Sequence, residues 1–153
     1  MLLKMLIEPL AESDFLECSY GFRPGRRTMD CVGICRRYIQ RGTKYFWVVE
    51  GDIRGCFNEI RHERLMTILQ TRLADRQILH LIERFLKAGV LDGKWYEPTE
   101  EGVPQGSVLS PLLANLYLHQ FDLWWWQKYG VLTTKEKTRR RQSGQANCRL
   151  IRY

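Results

Sequence analysis

The chain has 153 residues, 44% of them hydrophobic and 27% charged, an ordinary globular composition that leaves room for one domain with a core and not for two. Lys and Arg number 24 against 17 Asp and Glu, giving a net charge of +7. That balance suits a polyanion such as nucleic acid or an anionic lipid surface, or serves plain solubility. Residues 1–15 read as an amphipathic helix with Leu3, Leu6, Ile7 and Leu10 at helical spacing and no N-cap before it. Its apolar start carries Lys4 and Glu8 and is too short to span a bilayer. SYGFRPGRRT (19–28) is turn-rich, with Gly21, Pro24 and Gly25. Cys31, Ile34, Cys35, Tyr38 and Ile39 then mark one face of a helix ended by Gly42.

KYFWVVEGDI (44–53) has the strongest strand pattern, β-branched and aromatic, closed by Gly51. Leu65, Ile68 and Leu69 define a helix, and Asp75 is placed to cap the next, which carries Ile78, Ile82 and Phe85. Asp92-Gly93 between short apolar runs predicts a two-residue hairpin. Ser110-Pro111 predicts an N-cap and first-turn proline for a helix running to about Gly130. Thr133 to Ala146 reads as an exposed basic loop, and NCRLIRY (147–153) as the opening of a buried strand. Strands interrupted by runs of helices argue for an α+β domain. The five cysteines form no CxxC pair, and their odd number, with no signal peptide, predicts a reducing, cytoplasmic location.

Four stretches carry chemistry. WVVEGDIRGCF sets Asp52 at the end of a strand, where a rigid carboxylate reaches a cleft beyond the sheet edge. Mg²⁺ takes oxygen ligands of this kind, while aspartate is also common where a turn begins, here before Gly55, and both roles are open. Glu50 shares a strand face with Asp52 unless Gly51 breaks the register. Phe57 is either core or an aromatic that crowds a ribose 2′-OH beside a metal-held nucleotide. Arg23, Arg26 and Arg27 sit on a glycine-rich turn, where guanidinium forks suit phosphate oxygens or simply meet solvent. In GVPQGSVLSP, Gly102, Pro104 and Gly106 bracket Gln105 and present its amide from a preset turn, which core packing does not demand. Lys135, Lys137, Arg139, Arg140 and Arg141 are candidate RNA contacts along with Arg27. His62, His80 and His119 show no ligand spacing, and Trp124 to Trp126 cannot all face one helix side.

In order, these motifs resemble a group II intron reverse transcriptase/maturase. CSYGFRPGRRTMD is similar to the family's second conserved block, VVEGDIRGCFNEIRH to its third and GVPQGSVLSPLLANLYLHQFD to its fourth. The terminal RLIRY resembles the lead-in to the fifth, which in the family continues Ala-Asp-Asp. The resemblance implies a partial right-hand polymerase, fingers and palm, over residues 1–153: an α+β fold with a small antiparallel sheet packed with helices. It implies that Asp52 is catalytic and binds Mg²⁺ with the carbonyl of Ile53, and that Arg23, Arg26, Gly55, Phe57 and Gln105 contact the incoming nucleotide. The implied reaction is RNA-templated DNA synthesis, a primer 3′-OH attacking a dNTP α-phosphate between two Mg²⁺ ions. The implied partners are RNA template, DNA primer, dNTP and the intron RNA of a mobile element, and no membrane.

The departures carry expectations of their own. The chain starts within the tail of the family's first block, so the N-terminal finger segment is expected to be missing, as are the Ala-Asp-Asp strand-turn and the thumb. One of three usual carboxylates remains, so the 153-residue chain is expected to be catalytically incomplete. A non-enzymatic remnant that at most binds RNA, or part of a retron-like or CRISPR-associated reverse transcriptase, are the alternatives. An open sheet edge at 148–153, or the Trp124–Trp126 run, offers a route to self-association.

Overall fold

The computed structural model describes residues 1–40, 42, 45–88, 90–92, 95–97, 100–104 and 106–153. Its elements are α1 (Leu2–Asp14), α2 (Thr28–Ile39), α3 (His62–Gln70), α4 (Arg76–Leu86), β1 (Val90–Asp92), β2 (Trp95–Glu97), α5 (Ser110–Trp125), a π-helical turn (Trp126–Gly130) and α6 (Thr134–Gln142). The chain divides into two units, one of Met1–Asp14 with Trp47–Tyr117 and one of Phe15–Phe46 with Leu118–Tyr153.

The first unit buries the apolar stripes of its helices. Ile7 and Ala11 of α1, Leu65 and Leu69 of α3, Ile82 and Leu86 of α4, and Leu112, Leu113 and Leu116 of α5 are all inside. In α1, α3 and α4 the four-residue spacing puts each pair on one helix face, whereas in α5 the five consecutive residues 112–116 are all buried. Asp75 caps α4 as its sequence predicts, its Oδ1 accepting from the amides of Gln77 (2.7 Å) and Ile78 (3.3 Å). Pro9 lies inside α1, where it has no amide to donate. The last residue of that helix, Asp14, holds Arg72 at 2.8 Å. β1 and β2 pair antiparallel with Val90 opposite Glu97 and Asp92 opposite Trp95. The expected pairing of two strands here therefore exists, with Asp92 inside the ladder and not in the turn; residues 93–94 lie outside the described residues.

The second unit is built around a buried polar knot. Ser19, Arg23, His119 and Asp122 are buried there with Phe15, Tyr20 and Cys31. His119 meets the Phe15 ring edge-on, with centroids 5.5 Å apart. The chain end is pinned to the 18–20 segment: the Arg152 amide donates to Cys18 O (2.7 Å) and the Tyr20 amide to Arg152 O (2.8 Å).

The expected fold class is corrected on one point. The small antiparallel sheet packed with helices is not formed; the chain is predominantly helical, and among the described residues the one ladder is the three-residue hairpin β1–β2. Residues 45–53 form no ladder, and Trp47 (91% exposed) and Val49 (96%) face solvent. Residues 147–153 join Ser19 through a single parallel bridge at Arg152 rather than an antiparallel strand. The reason is physical: β-propensity selects side chains that fit a pleated, half-buried surface, and a ladder needs a neighbouring strand to supply the other half of each hydrogen bond. Residues 133–146 are likewise not a loop, since Thr134–Gln142 forms α6.

Candidate functional site

Asp52 and Ile53 lie exposed at the end of the irregular segment 45–53, immediately before a tight turn over residues 54–59. Gly55 makes that turn possible. Its φ is +60°, a left-handed conformation in which glycine has no Cβ to clash, and its carbonyl accepts from the amides of Asn58 (2.7 Å) and Glu59 (3.1 Å). Phe57 emerges half-buried from the turn.

Segment 100–104 is stitched to this turn through the backbone. Val103 N donates to Phe57 O at 2.8 Å, Gly102 N to Ile60 O at 2.8 Å and His62 N to Glu100 O at 3.3 Å. Arg61 and Glu101 add an antiparallel bridge and an ion pair at 3.3 Å. Gly102 has φ of +89°, and a Cβ built there would stand 3.1 Å from the Asn58 carbonyl oxygen, so both the backbone conformation and the tight approach favour glycine. Beyond it the Ser110 hydroxyl donates to the Pro104 carbonyl, fixing the entry to α5. The sequence predicts Ser110 as a helix cap; it is instead a buried donor that ties the loop to the helix. The structure thus brings together the Asp52–Phe57 turn and the residues leading to Gln105. Gln105 itself lies outside the described residues.

His62, whose spacing suggests no chemistry, is part of this stitching. It is buried, and its Nε2 hydrogen-bonds the Gly102 carbonyl, so it pins the loop to α3. Nothing in the sequence around it signals that role.

Arg23, Arg26 and Arg27 belong to the second unit. Arg23 is 8% exposed, donates to the carbonyls of Leu16 and Ser19 at 2.9 Å each, and stacks 5.1 Å over the Phe15 ring. Arg26 pairs with Glu17 at 3.0 Å and lies 5.1 Å over Tyr20. Both guanidiniums are engaged inside their own turn, whereas the Arg27 side chain, at the start of α2, is exposed. On α6, Lys135, Arg139 and Arg141 are exposed, while Lys137 and Arg140 are half-buried. Arg140 donates to Ala146 O (3.0 Å) and lies 5.7 Å over the Tyr129 ring.

α6 begins with a reciprocal capping box. The Thr133 hydroxyl and amide both reach the Glu136 carboxylate at 2.7 Å, and the Glu136 amide donates back to Thr133 Oγ1. These bonds hold the Glu136 carboxyl below its ordinary value. The sequence carries the signal, a Thr followed three residues on by Glu.

Asp52 and the carbonyl of Ile53 offer two oxygens of the type a hard cation prefers, so their donor chemistry fits Mg²⁺ as part of a site. Among the described residues no group of three His, Cys, Asp or Glu side chains forms a metal cluster. No helix among them is long and apolar enough to cross a membrane.

Comparison with known proteins supplies the context for this geometry. The model of the family "Reverse transcriptase (RNA-dependent DNA polymerase)" matches residues 1–153. The group II intron-encoded protein LtrA of Lactococcus lactis subsp. cremoris is 41% identical over 119 residues, covering 78% of this chain and 19% of that protein. An uncharacterized 91 kDa protein in the cob intron of Schizosaccharomyces pombe is 39% identical over 121 residues, 79% of this chain and 15% of its own length. Protein YkfC of Escherichia coli is 37% identical over 127 residues, 82% of this chain and 33% of its own length. The chain spans well under half the length of each of these relatives.

Proposed function

The chain belongs to the reverse transcriptase family, in its group II intron-encoded branch, and from that membership we propose that it supplies part of the nucleotide-addition site for RNA-templated DNA synthesis. Asp52 and the Ile53 carbonyl are the oxygens that would hold Mg²⁺, the ion reverse transcriptases generally use. When bound, that ion neutralises charge on the substrate phosphates and activates the attacking oxygen. Phe57 crowds the 2′ position of an incoming nucleotide, and Gln105 packs near its sugar. RNA template, DNA primer and dNTP are the substrates, and the intron RNA is a further partner drawn by the net charge of +7. Contact with a second copy fits the exposed rings of Trp124 and Trp126.

One observation carries this reading: the 2.8 Å hydrogen bond from Val103 N to Phe57 O. It couples the turn that follows Asp52 to the segment that leads to Gln105. Arg23 and Arg26 act in the same reading by shaping the loop, since their guanidiniums are held by carbonyls and by Glu17.

A chimera tests it. Residues 1–153 replace the matching segment of the Lactococcus lactis intron-encoded protein, and Mg²⁺-dependent extension of a DNA primer on an RNA template is measured. Extension is expected, and Asp52→Asn should remove it, whereas the 153-residue chain alone should extend nothing. Undiminished extension by the Asp52→Asn chimera would overturn the assignment.

A further inference from the structure

The second unit holds a partly open cavity of about 200 Å³ whose lining includes Tyr20, Tyr38, Trp125, Trp126 and Tyr129. Aromatic walls accept either a flat π-system or a cation, and the surrounding charge decides between them. Two carboxylates reach the cavity, and both are already neutralised: Glu17 by Arg26 at 3.0 Å and Asp122 by Arg152 at 2.8 Å. The cations Lys137 and Arg149 also line it, with Arg149 Cζ 5.3 Å over the Tyr38 ring. The balance is positive. It repels a cationic ligand and suits an anion attached to a flat ring.

We propose that this cavity binds one nucleotide unit, its base against the tyrosine and tryptophan rings and its phosphate on Lys137 and Arg149. The proposal rests on the nucleic-acid-binding reading above and adds a specific site to it. A second observation points the same way. Lys137 belongs to α6, and the exposed Arg141 lies one turn further on along the same helix face, so a single strand following that face meets a second phosphate contact beside the cavity. Aromatic stacking beside a basic track is how single strands are held without reading sequence. The nucleotide has two sources, a free mononucleotide or an unpaired residue of an RNA strand, and these are separable.

The test is fluorescence anisotropy of a labelled single-stranded RNA oligonucleotide with the 153-residue chain across a salt series. Tyr38→Leu should weaken binding about tenfold with the salt dependence unchanged, because stacking is lost and no phosphate contact is. Tyr38→Phe, which keeps the ring, should restore it. Lys137→Gln with Arg149→Gln should make the salt slope shallower by about two phosphate contacts. If Tyr38→Leu prevents folding, judged by thermal unfolding, the change in that slope decides the question. Displacement of the RNA by millimolar AMP assigns the cavity to a free mononucleotide; weakening by Tyr38→Leu without AMP displacement assigns it to a strand. RNA binding that falls with Lys135→Gln and Arg139→Gln, yet ignores the cavity variants and AMP, overturns this proposal and leaves the RNA-binding reading standing. No salt-sensitive RNA binding by the parent chain overturns both.

Discussion

The guanidinium of Arg152 grips the carboxylate of Asp122 through both arms, with Nε 3.1 Å from Oδ1 and Nη2 2.8 Å from Oδ2. Asp122 is fully buried, and the same Nη2 also donates to Ser19 Oγ at 2.7 Å. A bidentate pair of this kind fixes direction as well as distance. It clamps the chain end against residues 18–20 at the point where Gly21 leaves space: a Cβ there would stand 2.8 Å from the Tyr153 carbonyl carbon.

Removing one member of the clamp strands the other. Asp122→Ala leaves the Arg152 charge without its partner in a low-dielectric site, and such losses cost about 3–5 kcal/mol. Urea unfolding followed by tryptophan fluorescence should show a loss in that range for the second unit. The double variant with Arg152→Met should recover much of it, because no orphaned charge remains. Single and double variants that unfold alike would show that the pair is not coupled.

Gly102 and Gly106 both have positive φ, +89° and +84°, but only Gly102 has a neighbour in the way. Gly106→Ala meets open space and should cost only the left-handed conformation, about 1 kcal/mol. Gly102→Ala adds a 3.1 Å approach to the Asn58 carbonyl oxygen and should cost more. It should also raise amide exchange at Val103, whose amide donates to Phe57 O next to that contact. Equal costs at the two glycines would mean that the Asn58 turn gives way freely.

The start of α6 should respond to acid. The Thr133 hydroxyl and amide hold the Glu136 carboxyl below its ordinary 4.5, so the folded cap prefers the ionised form. The stabilisation is therefore fully present above about pH 4.5 and is lost as pH falls through the lower folded value. Chemical shifts of the Thr133 and Glu136 amides should stay constant from neutral pH to near 5 and then move together. Thr133→Val should raise the midpoint of the Glu136 titration toward the ordinary value.

Local signals are the legible ones in this sequence. Asp75 as the cap of α4, a hairpin near Asp92 and a helix opening near Ser110 follow from capping, turn and periodicity rules that act within a few residues. The capping box of α6 is equally local, but five cations in nine residues read more readily as a solvated loop than as a helix. Longer-range outcomes are not legible. Whether residues 45–53 gain a ladder depends on a partner strand, which their own β-propensity does not specify. Arg23 reads as a phosphate ligand because a guanidinium on a glycine-rich turn has the right chemistry. Its burial over Phe15 and its bonds to Leu16 and Ser19 carbonyls depend on a loop path that spacing does not encode. At the site, residue types point to Asp52 and Phe57, while His62 as the pin beneath Gly102 emerges only from the folded structure.

Cys18 offers a chemical probe of the cavity in the second unit. Burial, reinforced by the nearby Asp122 charge, pushes its thiol up from 9.0 to about 11. The thiolate is the reactive species, so at pH 8 the folded protein should hold on the order of a hundredfold less of it at Cys18 than the unfolded chain does. Alkylation at that pH, mapped by peptide mass spectrometry, should therefore be much slower at Cys18 in the native protein than in urea. The same shift sets a sign for stability. The folded state keeps the proton to higher pH, so its advantage is complete below pH 9 and declines as pH rises toward 11. Cys18→Ser should flatten that alkaline decline, and a decline of unchanged steepness in the variant would place its origin in another group.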